Sequence, residues 1–183
     1  MPSFTLQFPP QEIRPLAARF GNLDESPLLA LGAAARERGH YTRPEFIDVC
    51  AWKTPRSRPK IASNTEAAVA AATGLALAAV DEGTRIRALL GLTGVGVPTA
   101  STLLYATYPT AYPILDVRAL ESLGVKPRSQ YPVAFWLGYL GACREIARRH
   151  RVSIRTLDKA LWQHSKELAR TRAQELARAH SPR

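Results

Sequence analysis

The chain has 183 residues, 46% of them hydrophobic, and a formal net charge of +10. That length and apolar content allow one sizeable core, built as one domain or two small interleaved lobes, and exclude a disordered composition. The positive charge directs attention to polyanions, nucleic acid first and an anionic membrane surface second.

The opening "MPSFTLQFPP" has no basic n-region and no long apolar run, so it is not read as a signal peptide. No stretch of about eighteen apolar residues occurs, so no membrane span is expected and the cytoplasm is the default location. Phe4, Leu6 and Phe8 alternate, which predicts a short extended arm ended by Pro9-Pro10. Short helices are predicted near 11–20 and 26–38, and Pro44 reads as the N1 residue of a third, "PEFIDVCAW". The stretch "KTPRSRPK", 53–60, has four basic residues, two prolines and no acid, and is predicted to be a loop.

Asn64 or Thr65 caps the alanine-rich helix that follows, "DEGT" breaks it, and "RIRALLGL" leads into a Gly-Val-Gly turn. "VPTASTLLYAT" is the helix after the turn, and "YPTAYP" is a proline-bounded loop. Asp116 opens a short helix ending at Gly124. A further helix spans about 132–149, and Ser153 or Thr156 caps the last one, whose apolar face carries Leu157, Leu161, Leu168 and Leu176. Residues 144–183 hold eleven Lys/Arg against four Asp/Glu, so much of the positive charge lies at this end.

Cys50 and Cys143 are far apart and read as reduced core thiols. Two cysteines cannot hold a four-cysteine iron–sulfur cluster, and His40, His150, His164 and His180 show no metal-ligand spacing. Neither a metal nor an organic cofactor is expected.

"LTGVGVP" sits between two helical segments. Gly94 and Gly96 permit positive φ and close backbone approach, and Val95 between them is expected to face the core. The turn lies at a helix N-terminus, where backbone N–H groups lack internal partners and can hold a phosphodiester oxygen. Gly94, Val95, Gly96 and Thr99 are therefore the candidate phosphate contacts, with Lys53, Arg56, Arg58 and Lys60 of the basic loop beside them.

"LTGVGVPTAS" resembles the helix–hairpin–helix motif, and Asp116 in "YPILDVRAL" follows Gly96 by twenty positions. Motif and spacing together are similar to those of the helix–hairpin–helix (HhH-GPD) DNA glycosylases of the endonuclease III and adenine glycosylase type. The resemblance covers about thirty residues. It implies an all-α fold of two lobes with a groove for double-stranded DNA. Residues 40–130 would form the central lobe, with the hairpin at 84–107, and 1–39 plus 131–183 the second. It implies that Asp116 is catalytic and allows a monovalent cation at the hairpin carbonyls. The chain departs from the family at Pro98, where bifunctional members carry a lysine, at Thr93 in place of proline, and in lacking a recognisable helix ending in a base-probing glutamine.

Cleaving an N-glycosidic bond builds positive charge on the sugar. A fixed carboxylate stabilises that charge and can orient or deprotonate water. The base must leave the stack and be held by aromatic rings. Trp52, Tyr105, Tyr112, Trp136 and Trp162 are the candidates, Trp52 first because it adjoins the basic loop. Asp116 also reads as a helix N-cap, and the two roles are compatible. Asp158 reads as a helix-dipole partner in an N-terminal turn. Lys53, Lys126 and Lys159 read as phosphate contacts or surface charges, although Lys53 and Lys126 are the first amines to consider should an imine form. The expected function is monofunctional removal of a damaged or modified base by a monomeric DNA N-glycosylase. The alternatives are a non-catalytic helix–hairpin–helix DNA-binding module, or another enzyme or adaptor on the same fold.

Overall fold

In the computed structural model, which describes residues 2–21 and 24–179, Phe4, Leu6 and Phe8 turn inward while Ser3, Thr5 and Gln7 face solvent. The arm is extended without forming a strand. Its Thr5 N–H donates to Leu123 O and its Gln7 N–H to Ser122 O, both at 3.0 Å. His180 lies outside the described residues.

Among the described residues the elements are helical and no strand occurs. Helix α1 spans Ile13–Ala18 after a 3-10 turn at Pro10–Glu12, and α2 spans Ser26–Arg38. Helix α3, Arg43–Lys53, begins one residue before Pro44, because Thr42 caps it in a capping box with Glu45. Pro44 is thus the second helical residue. The "KTPRSRPK" segment is not a loop. It forms a 3-10 turn at Pro55–Ser57 and a one-turn helix α4 at Arg58–Ile61. Each proline sits in the first turn of its element, where its missing N–H costs nothing.

Thr65, not Asn64, caps α5, Glu66–Ala78. "DEGT" starts a helix as well as ending one: Asp81 Oδ1 accepts from Thr84 N–H at 2.8 Å and caps α6, Glu82–Leu90. The hairpin then leads to α7, Val97–Thr107. Helix α8 spans Val117–Ser122, α9 Val133–Arg149, and α10 Ile154–Ala179, where Ser153 Oγ accepts from Thr156 N–H. No described helix is long and apolar enough to cross a membrane.

Helix α7 is the axis of the molecule, for every residue of it except Pro98 is buried. Helices α2, α3 and α6 pack on α7, α5 packs on α6, and α10 lies on α1, α8 and α9. One apolar cluster runs from Phe8 through these helices to Leu161. Tyr41 ties α3 to α7: its hydroxyl donates to Leu103 O at 3.0 Å and lies 2.7 Å from Thr107 Oγ1. The apolar face of α10 is covered only along its first half. Leu157 and Leu161 are buried, whereas Leu168 is 37% and Leu176 62% exposed.

Helices α2 and α7 meet at Gly32, where an added Cβ would lie 2.0 Å from Ala106 O. That neighbour is backbone and cannot swing aside. Gly32→Ala should therefore cost about 3 kcal/mol or more of stability. Gly141→Ala, in α9 with open space around it, should instead stabilise by up to about 1 kcal/mol. Urea unfolding of the two variants checks the pair.

Candidate functional site

The site is built on the extended segment that leads into α8. Leu115 N–H donates to Ser101 Oγ of α7 at 2.9 Å, and Ile114 O accepts from Tyr139 O–H of α9 at 2.9 Å. The next residue, Asp116, caps α8, with Oδ1 accepting from Arg118 N–H at 2.8 Å. Its other oxygen, Oδ2, accepts from Lys53 Nζ at 2.6 Å. Asp116 is thus a helix cap, the reading offered beside the catalytic one. Lys53, expected among the phosphate contacts, is paired with Asp116.

This pair lines a cavity of about 290 Å³. Trp52, Phe20 and Trp162 supply aromatic wall, Ile114 and Ala119 aliphatic wall, and Arg155 and Asp158 further charge. Trp52 is 37% exposed and stands toward solvent, whereas Asp158 is buried. Arg155 bridges Asp158 and Glu25, and Tyr105 O–H donates to Glu25 at 3.0 Å. Burial pushes the Asp158 carboxyl up to about 6, against the opposing pull of Arg155 and Lys53. Cations stand on the aromatic rings. Arg118 and Lys166 lie 5.1 and 5.2 Å from the Trp162 ring centre, and Lys159 lies 5.5 Å from that of Phe20.

The hairpin is held from below. Asn64 Oδ1 accepts from Thr93 N–H at 2.8 Å, and its Nδ2 donates to Thr93 O at 2.9 Å. Gly94 has φ +80°, and a Cβ there would lie 3.1 Å from both Lys60 Cβ and Ile61 N. The basic turn is therefore packed against the hairpin. Gly96 differs from expectation. It caps α7 with φ −99°, so its backbone does not require glycine, and an added Cβ would approach only Pro98 Cδ, at 3.8 Å. Val95 is buried, as expected.

Two depressions lie between the hairpin and Asp116. The one near the turn is lined by Gly96, Pro98, Ser129 and Tyr131. Pro98, Ser129 and Tyr131 continue beside Lys53, Asp116 and Arg128. Arg56, Arg58 and Lys60 are exposed, with Arg58 3.5 Å from Asp48 in a pair open to solvent.

Four sequence candidates lie elsewhere. Thr99 is buried, with its hydroxyl 3.4 Å from that of Thr54, so its side chain is turned away from a phosphate and only its backbone N–H faces the start of α7. Tyr105 is buried in the Glu25–Arg155 network. The hydroxyl of Tyr112 donates to Glu82 at 2.8 Å, and its ring stacks on Trp136, which is fully buried. These three aromatic side chains belong to the core. Only Trp52 and Trp162 of the five aromatic candidates reach the cavity. Phe20, Arg155 and Asp158 were missed as cavity residues, although a Trp four residues after an Asp on one helix, Asp158 and Trp162, was a usable signal.

Among the described residues no cluster of three or more His, Cys, Asp or Glu is placed to hold a metal ion. At the hairpin, Leu92 O already accepts from Val95 N–H at 3.2 Å and Thr93 O from Asn64, so a monovalent cation there would share occupied carbonyls. No protein-family model, curated protein or solved structure matches the chain.

The Asp158 shift has a measurable sign. Its folded-state value lies above the ordinary 3.8, so between about pH 4 and 6 the native state holds the extra proton and stability falls as pH rises. Asp158→Asn removes this dependence. The parent's stability relative to the variant should decline by about 2–3 kcal/mol from pH 4 to pH 7. Denaturant unfolding at both pH values checks this, and a pH-independent difference would contradict the buried placement of the carboxylate.

Proposed function

We propose that this chain is a DNA N-glycosylase that excises a damaged or modified base at Asp116. The observation that carries the reading is that the depression at the hairpin and the one at Asp116 share Pro98, Ser129 and Tyr131, while Asp116 also lines an aromatic cavity. A phosphodiester at the start of α7 would receive backbone N–H groups. The strand would then follow Pro98 and Tyr131 to Lys53 and Asp116. The cations at Arg118, Lys159 and Lys166 suit the approach of a polyanion.

The cavity volume sits near the lower end of the roughly 300–1,000 Å³ spanned by small-molecule sites, which suits one planar heterocycle. An extruded base would lie against Trp52 and Trp162. Asp116, fixed by its cap, would face the sugar and stabilise the oxocarbenium-like state. Asp158, its carboxyl pushed up to about 6 by burial, is suited to exchange a proton with the departing base.

The second reading, a DNA-binding module without chemistry, is favoured by one observation: both oxygens of Asp116 already have partners. A panel of duplexes with single altered bases, each treated with protein and then with hot alkali, separates the two. Breaks after alkali indicate base excision, and tight binding without breaks indicates the module. Asp116→Asn keeps the cap and gives up an ion pair of about 1 kcal/mol, so it should fold. It should bind DNA at least as well as the parent and excise roughly a hundredfold more slowly or worse. Excision at the parent's rate would remove Asp116 from the chemistry.

The hairpin has its own test. Gly96→Val has room in the free protein and should fold, yet its side chain would stand where a backbone phosphate approaches. Its affinity should drop for all sequences alike, and the parent's affinity should fall steeply with salt. Fluorescence polarisation across a salt series measures both, and unaltered Gly96→Val binding would exclude the hairpin from the interface.

A further inference from the structure

Pro98 removes the amine from the hairpin, but the cavity holds another. Lys53 is the last residue of α3, and its Nζ lies 2.6 Å from Asp116 Oδ2 with the side chain only 15% exposed. Of the residues lining the cavity, it alone is a lysine. Asp116 cannot follow the lysine outward, because its other oxygen is held by the α8 cap. Trp52, the residue before Lys53 in the chain, forms the neighbouring wall. A lysine withdrawn from water, with a fixed carboxylate to take and return its proton, is equipped to condense with a carbonyl carbon.

We propose that Lys53 forms an imine with the aldehyde of an abasic deoxyribose, giving the site a strand-cleaving activity at abasic positions. This rests on the DNA reading above and amends the expectation, drawn from Pro98, of chemistry without an amine. The Lys53 ammonium first gives a proton to Asp116, and the freed amine adds to the sugar C1′. The carbonyl oxygen leaves as water, taking one proton from Asp116 and one from the nitrogen. The remaining nitrogen proton and the positive charge stay on the iminium. Asp116, again a carboxylate, removes a proton from C2′. The C3′–O bond then breaks, and the 3′ phosphate departs with the bonding electron pair. Hydrolysis of the imine returns Lys53.

The substrate class needs no knowledge of the excised base, so a duplex with a single abasic site is a sufficient probe. Sodium borohydride reduces the iminium to a stable secondary amine, which fixes the protein to the strand. The parent should give this adduct, mapping by peptide mass to Lys53. Lys53→Arg keeps the cation and its partner but cannot form the imine, and its yield should fall to that of heat-denatured protein. Lys126→Ala should trap like the parent. Binding is measured in parallel on a duplex carrying a tetrahydrofuran abasic analogue. An adduct that persists in Lys53→Arg, one that maps elsewhere, or a bound duplex that gives no adduct overturns the proposal and leaves the glycosylase reading standing. A parent that binds neither duplex removes both.

Discussion

The site depends on how the backbone at Ile114 and Leu115 is pinned. Ser101 of α7 holds one side through Leu115 N–H, and Tyr139 of α9 holds the other through Ile114 O. Asp116 comes next and must face outward, where it caps α8 and takes the Lys53 ammonium. Ser101 lies one turn into the helix that the hairpin begins. The distance from hairpin to carboxylate is therefore set by one rigid helix and one hydrogen bond. This is the physical content of the twenty-residue spacing: α7 runs away from the turn, and the loop returns along it until Leu115 meets Ser101.

A second constraint holds the basic turn to the hairpin. Asn64 satisfies both backbone groups of Thr93, while Arg43 anchors the chain around it through Asn64 O and Ala62 O. Gly94 then rests on Lys60 and Ile61 with no space for a side chain. Arg56, Arg58 and Lys60 thus move with the hairpin as one surface. The same chain segment ends α3, so Trp52 and Lys53 are positioned by the elements that position the turn. Hairpin and cavity residues are coupled through α3 and α7, and α7 is buried at every residue but Pro98.

Features carried by local chemistry were legible in the sequence. Gly94 of the hairpin, the Asp116 cap and the alternating arm each follow from neighbours a few residues away. Residues that required a helix phase were not. In α7 nearly every position is apolar or small and nearly every position is buried, so the sequence offers no polar face by which to orient Thr99 or Tyr105. Tyr112 and Trp136 looked available as base platforms because their stacking on one another joins residues twenty-four positions apart. Phe20 reaches Arg155 and Asp158 from the other end of the chain, a meeting that no local pattern reveals. Leu168 and Leu176 continue the periodicity of α10 beyond the helices that would cover it.

The three tryptophans allow a direct test of where DNA is engaged. Trp52 and Trp162 line the cavity, and Trp136 is fully buried in the core. Their indole N–H resonances can be followed by NMR while a duplex with one tetrahydrofuran abasic site is titrated in. The account predicts that the Trp52 and Trp162 signals shift together and saturably while that of Trp136 stays in place. Saturable DNA binding that leaves Trp52 and Trp162 unmoved would place the interface elsewhere and contradict the assignment of the cavity.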